Sequence, residues 1–80
     1  MYSVTYVSHL ETIYFETKLF KSEQAAFEQV AEYVKDICET EGWDYEDCGF
    51  EFGQQLFAQS CFNGHYYEVR MTYHEDSKII

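Results

Sequence analysis

The feature that most constrains this chain is a change of hydrophobic period, from two to about 3.6 and back to two. Between Ser22 and Gly42 the apolar residues Phe27, Val30, Ala31, Val34, Ile37 and Cys38 recur at spacings of 3, 4 and 7, which places them on one helical stripe. Ser22 stands where a hydroxyl accepts from a free backbone N–H of the first turn, and Glu23 puts an anion at the positive end of the helix dipole. Gly42 occupies the place of a left-handed C-terminal cap. A helix over about 23–41 follows, with Glu28, Glu32, Lys35, Asp36 and Glu39 on its other faces.

The flanking segments alternate. Tyr2, Val4 and Tyr6 oppose Ser3, Thr5 and Val7, and after a turn at 8–11 Ile13, Phe15, Thr17 and Leu19 oppose Tyr14, Glu16, Lys18 and Phe20. Two such runs of β-branched and aromatic residues predict an antiparallel hairpin. A second hairpin is predicted over 55–74, because Asn63-Gly64 suits a type I′ turn and both flanks alternate. A two-residue loop would pair Phe62 with His65, Ser60 with Tyr67, Ala58 with Val69 and Leu56 with Met71 on a buried face. Cys61–Tyr66, Gln59–Glu68 and Phe57–Arg70 would then share the outer face. Residues 41–53, punctuated by Gly42, Gly49 and Gly53, read as a loop with room for one short strand or one helical turn. Periodicity ends at His74, and 75–80 reads as a loose C-terminal tail.

These elements amount to one α+β domain over 1–80. It has two layers, with a four-stranded antiparallel sheet (β-β-α-β-β) and one helix packed on one face. Eighty residues leave no room for a second domain. Eight Tyr and seven Phe let so short a chain gather enough apolar area to fold, since each ring buries roughly 150–250 Å².

Charge decides which partners are plausible. Fifteen acids against five bases give a formal net charge of −10, which repels nucleic acid and anionic lipid and attracts basic surfaces. A basic protein is the natural counterpart. No basic run precedes an apolar N-terminal core, and no stretch approaches eighteen apolar residues, so neither a signal peptide nor a spanning helix is expected. Cys38, Cys48 and Cys61 are odd in number and lack CxxC spacing, which fits reduced thiols and a cytoplasmic protein.

No motif names a reaction. In Asp44-Tyr45-Glu46-Asp47-Cys48-Gly49 the first, third and sixth positions suit a calcium loop, but Cys48 replaces the fifth-position oxygen and Gln55 the bidentate Glu. The three cysteines with His9, His65 and His74 lack the short paired spacings of a zinc site. Cys48 sits among carboxylates and Cys38 near a helix C-terminus, both of which disfavour a thiolate. No cofactor, no metal and no enzymatic activity are expected.

The segment 36–51 holds Asp36, Glu39, Glu41, Asp44, Glu46, Asp47 and Glu51 without a Lys or Arg, and Trp43, Tyr45 and Phe50 are threaded through it. Carboxylates three or four residues apart on a helix lie about 5–6 Å from one another, close to the spacing of phosphates along a strand. Trp43 and Tyr45 would serve as rigid anchors beside the charge. The competing reading is a solvated face that only confers solubility. In size, acidity and compact α+β pattern the chain resembles the small phage-encoded inhibitors of host defence, anti-CRISPR and anti-restriction proteins, some of which mimic DNA. That resemblance implies a host-cytoplasmic inhibitor of a nucleic-acid-handling complex and assigns no residue. The alternative is a small self-associating domain, a homodimer through an aromatic sheet face carrying Tyr66 and Phe57.

Overall fold

The computed structural model describes residues 1–75. Residues 76–80, most of the predicted tail, lie outside the described residues. Strand β1 (Tyr2–His9) turns into β2 (Ile13–Phe20), and helix α1 (Glu23–Glu41) follows. A 3₁₀ turn (Tyr45–Cys48) then leads to β3 (Leu56–Ser60) and β4 (Tyr66–Tyr73). Among the described residues the strands form one antiparallel sheet in the order β2-β1-β4-β3. The fold is therefore the expected α+β sheet with one helix on one face. The two hairpins join through β1 and β4, with Tyr2 opposite Tyr73 and His9 opposite Tyr66.

The helix is bounded as its ends dictate. Ser22 accepts from the Ala25 N–H at 3.3 Å, and Gly42 closes the C-terminus at φ 76°. Its buried residues are Ala26, Val30, Tyr33, Val34, Ile37 and Cys38. The stripe is thus turned slightly from the predicted one, so that Phe27 and Ala31 sit at the margin. Tyr33 accounts for the rotation: its ring stacks on Tyr6 of β1, centroids 4.8 Å apart, and its hydroxyl donates to Glu16 of β2.

α1 lies mainly over β1 and β4. Val4, Val30, Val34 and Val69 have no exposed surface, and Ile37 and Tyr67 are sealed beside them. Three tyrosines along the helix–sheet seam donate to glutamates: Tyr2 to Glu23 at 3.2 Å, Tyr33 to Glu16, and Tyr67 to Glu41 at 2.5 Å. A phenol carries apolar area into the seam and leaves its polar end needing a partner. At these three places a carboxylate of the opposite layer is that partner.

The second hairpin forms where predicted, but its register is shifted by one residue. Cys61 N–H donates to the His65 carbonyl at 2.7 Å and Gly64 N–H to the Cys61 carbonyl at 3.0 Å. The loop is therefore three residues, 62–64, with Gly64 at φ 87°, a tight turn followed by a glycine bulge rather than the two-residue I′ form. Phe57 now opposes Val69, and Gln59 opposes Tyr67. A one-residue slip exchanges the two faces of a strand. On β3 the buried residue is Phe57, 7 % exposed, whereas Leu56 is 50 % exposed. Phe57 and Cys61 leave the outer face assigned to them, because the Phe57 ring fills space against the edge of Phe50, centroids 6.3 Å apart.

His74 is not loose. Its N–H donates to the Met1 carbonyl at 2.8 Å, and its Nε2 lies 2.8 Å from Ser3 Oγ.

Candidate functional site

The acidic segment begins on the solvent side of α1. Glu28, Glu32, Asp36 and Glu39 are exposed, and at 100° per residue they fall within a quarter of the helix circumference. Beyond Gly42 the chain folds back in the 3₁₀ turn. Asp44 caps that turn by accepting from the Glu46 N–H at 3.2 Å, and Gly49 ends it at φ 79°. Asp44, Glu46 and Asp47 are exposed on this turn, which packs against α1, and Glu51 is exposed after it.

The two acidic elements meet at Tyr45. An open groove of about 680 Å³ is lined by Ala31, Glu32, Lys35, Asp36, Glu39 and Tyr45. The Tyr45 ring is half-buried and meets Phe50 edge-on at 6.0 Å, so its position is set by the core. Trp43 is also half-buried against the core margin. It walls a hollow of about 230 Å³ with Asp44, Asp47, Cys48 and Gln59. It also walls one of about 390 Å³ that includes Glu41, Cys61 and Asn63. Both aromatic candidates are therefore partly sunk against the core beside carboxylates rather than free rings.

Glu41 stands apart from the other acids. Its side chain is 9 % exposed, and Oε1 accepts from the Tyr67 hydroxyl at 2.5 Å and from His65 Nδ1 at 2.6 Å. The Tyr67 hydroxyl, and after it His65, hold the Glu41 carboxyl below its ordinary range. Burial, and then Glu41, push the Tyr67 hydroxyl up. A carboxylate already accepting two hydrogen bonds inside the fold is a structural group. Its partners lie 24 and 26 residues away, and no local pattern marks them.

Glu28 and Glu32 are the converse case. They continue the exposed acidic row upstream of Asp36, and Glu32 lines the groove. Their i, i+4, i+8 spacing with Asp36 was the available signal.

Two thiols, Cys38 and Cys61, are held protonated. Burial, followed by contact with Cys48, pushes Cys38 up to about 11, and burial with Glu41 raises Cys61. All three cysteines are free. Among the described residues no group of three or more His, Cys, Asp or Glu side chains is placed to hold a metal ion, and no helix is long and apolar enough to cross a membrane. Compared with protein-family models, curated proteins and solved structures, the chain matches none.

Proposed function

We propose that this protein is a non-enzymatic binding module of the cytoplasm that docks a basic, nucleic-acid-handling protein through its acidic helix face and 3₁₀ turn. The observation that carries this is the groove lined by Glu32, Asp36 and Glu39 of α1 and by Tyr45, with Lys35 the one cation among them, and with Asp44, Glu46 and Asp47 exposed on the adjoining turn. An ordered row of carboxylates beside a core-held ring suits Lys and Arg side chains that otherwise track a phosphate backbone. The resemblance to small phage-encoded inhibitors of host defence points the same way: the partner's nucleic-acid groove would be occupied by this surface. Glu41 is left out of that surface because Tyr67 and His65 already engage it.

The test is affinity capture from the host followed by competition. The captured partner should be released by duplex DNA and by raised salt, since exposed charge pairs are screened within about 8 Å at physiological ionic strength. The variant E32Q/D36N/E39Q should lose capture while keeping its fold. A partner held equally by that variant, or unaffected by salt and DNA, would sink the proposal and leave the acidic face a solubilising one.

A further inference from the structure

Among the described residues no second layer covers the sheet face opposite α1, where His74 reaches Ser3 at one end, and the face differs in kind from the rest of the surface. Alternation puts Ile13, Phe15 and Leu19 of β2, Val7 of β1 and Leu56 and Ala58 of β3 on it. Ile13, Phe15 and Leu19 are 68, 69 and 64 % exposed. Exposed apolar patches of several hundred Å² on a small soluble protein mark a contact surface. Among the described strand residues on this face the formally charged side chains are Glu68 and Arg70, 3.5 Å apart as an ion pair, with the imidazole of His9 at one end. In a chain of net charge −10, most of the described acids thus lie on the helix side, and Glu68 and Arg70 leave the strand residues of this face without net charge.

We propose that this face binds a second copy of the same chain, giving a helix–sheet–sheet–helix dimer. Charge selects that occupant. A basic partner finds no countercharge here, and an anionic membrane is repelled by the molecule as a whole. A second copy meets a surface without net charge, apolar along β2 and β3 and lined by Thr5 and Thr17 between them, and under a two-fold axis Arg70 of each copy can face Glu68 of the other. Two sheets pack about 10 Å apart and each helix sits about as far again beyond its own sheet, so the acidic helices end up roughly 30 Å apart. That exceeds the screening length of about 8 Å several-fold, so the net charge does not oppose association.

Area agrees. Three strands of eight residues and one of five, at about 4.8 Å spacing and about 3.3 Å rise, project roughly 450 Å². Side chains standing off the sheet raise the accessible area above that projection, toward the ~800 Å² per partner of a standard interface. Pairing along the free edge of β2 is the other way to join two copies. It would add backbone hydrogen bonds but leave Ile13, Phe15 and Leu19 in water, so face packing is the arrangement proposed. The inference is independent of the proposed function, and the dimer would carry its two acidic faces on opposite outer surfaces.

The test is sedimentation equilibrium of the full chain from low to high micromolar concentration. Wild type should dimerise, with added salt leaving the association unchanged or stronger. Phe15→Lys, on a side chain already in water, should keep the far-ultraviolet dichroism of the fold and weaken the dimer by roughly 100-fold or more. Asp36→Asn, on the far side, should leave it intact. A wild-type monomer at every concentration overturns the proposal, as does a dimer indifferent to Phe15→Lys. Hydrogen exchange separates the edge arrangement: strong protection of the outward β2 amides would show edge pairing instead of face packing.

Discussion

Replacing Glu41 by Ala tests whether this acid belongs to the interior or to the acidic surface. Tyr67 is 1 % exposed and the Glu41 side chain 9 %, so both ends of their hydrogen bond are shielded from water. Hydrogen bonds to a charged group contribute about 1.5–3 kcal/mol each, and a buried hydroxyl stripped of its acceptor costs about 1–3 kcal/mol. Against that, a carboxylate in the last turn of a helix opposes the dipole by about 0.3–1 kcal/mol, a penalty the substitution removes. The contributions overlap, because the lost bond and the stranded hydroxyl are partly one effect. The expected net loss is about 3 kcal/mol. A chain of 80 residues has roughly 4–12 kcal/mol of total stability, so the loss would be severe. Tm should fall by about 12–24 °C, at 4–8 °C per kcal/mol for a domain of this size. Urea and thermal unfolding followed by circular dichroism measure it, with Asp36→Ala as the comparison. An exposed helix acid should change stability by no more than about 0.5 kcal/mol. Comparable losses from the two substitutions, or a loss below about 0.5 kcal/mol from Glu41→Ala, would refute the reasoning.

The hairpin register makes a paired prediction. Phe57→Ala should cost about 3–5 kcal/mol as a core truncation, while Leu56→Ala should be nearly neutral in the monomer, and the reverse order would restore the two-residue loop. Acid sensitivity follows from Glu41, whose carboxyl Tyr67 and His65 hold below its ordinary value. Its contribution is complete above the unfolded value of about 4.3 and is lost as pH falls through the lower folded value. Stability against urea should therefore drop below about pH 4.5 more steeply in wild type than in Glu41→Ala, and parallel curves would remove Glu41 as the cause.

Much of this architecture is written locally. Ser22, the stripe from Val30 to Cys38 and Gly42 specify the helix and its ends through contacts within one or two turns. Alternation with β-branched and aromatic residues marks four strands in the same way. Asn63-Gly64 marks the second turn but not its length. Both a two-residue loop and a three-residue loop with a bulge want positive φ at Gly64, so the dipeptide is compatible with either. The choice falls to whichever register buries more: the observed one brings the Phe57 ring against Phe50, where the other would have buried Leu56 and Ala58.

The acidic segment divides along the same line. That Asp36, Glu39, Asp44, Glu46 and Asp47 face water follows from their place on the outer side of an amphipathic helix and on a capped turn. That Glu41 does not follows from Tyr67 of β4 and from His65, which closes the hairpin loop. Charge, the existence of the helix and four strands, and the ends of the helix are properties of short stretches, and the chain alone determined them; the first turn, read at 8–11, begins only after His9 because Ser8 and His9 pair with Tyr14 and Ile13. Register, the joining of β1 to β4 and the inward turn of one carboxylate depend on groups far apart in sequence competing for the same buried space, and only the tertiary structure decided them.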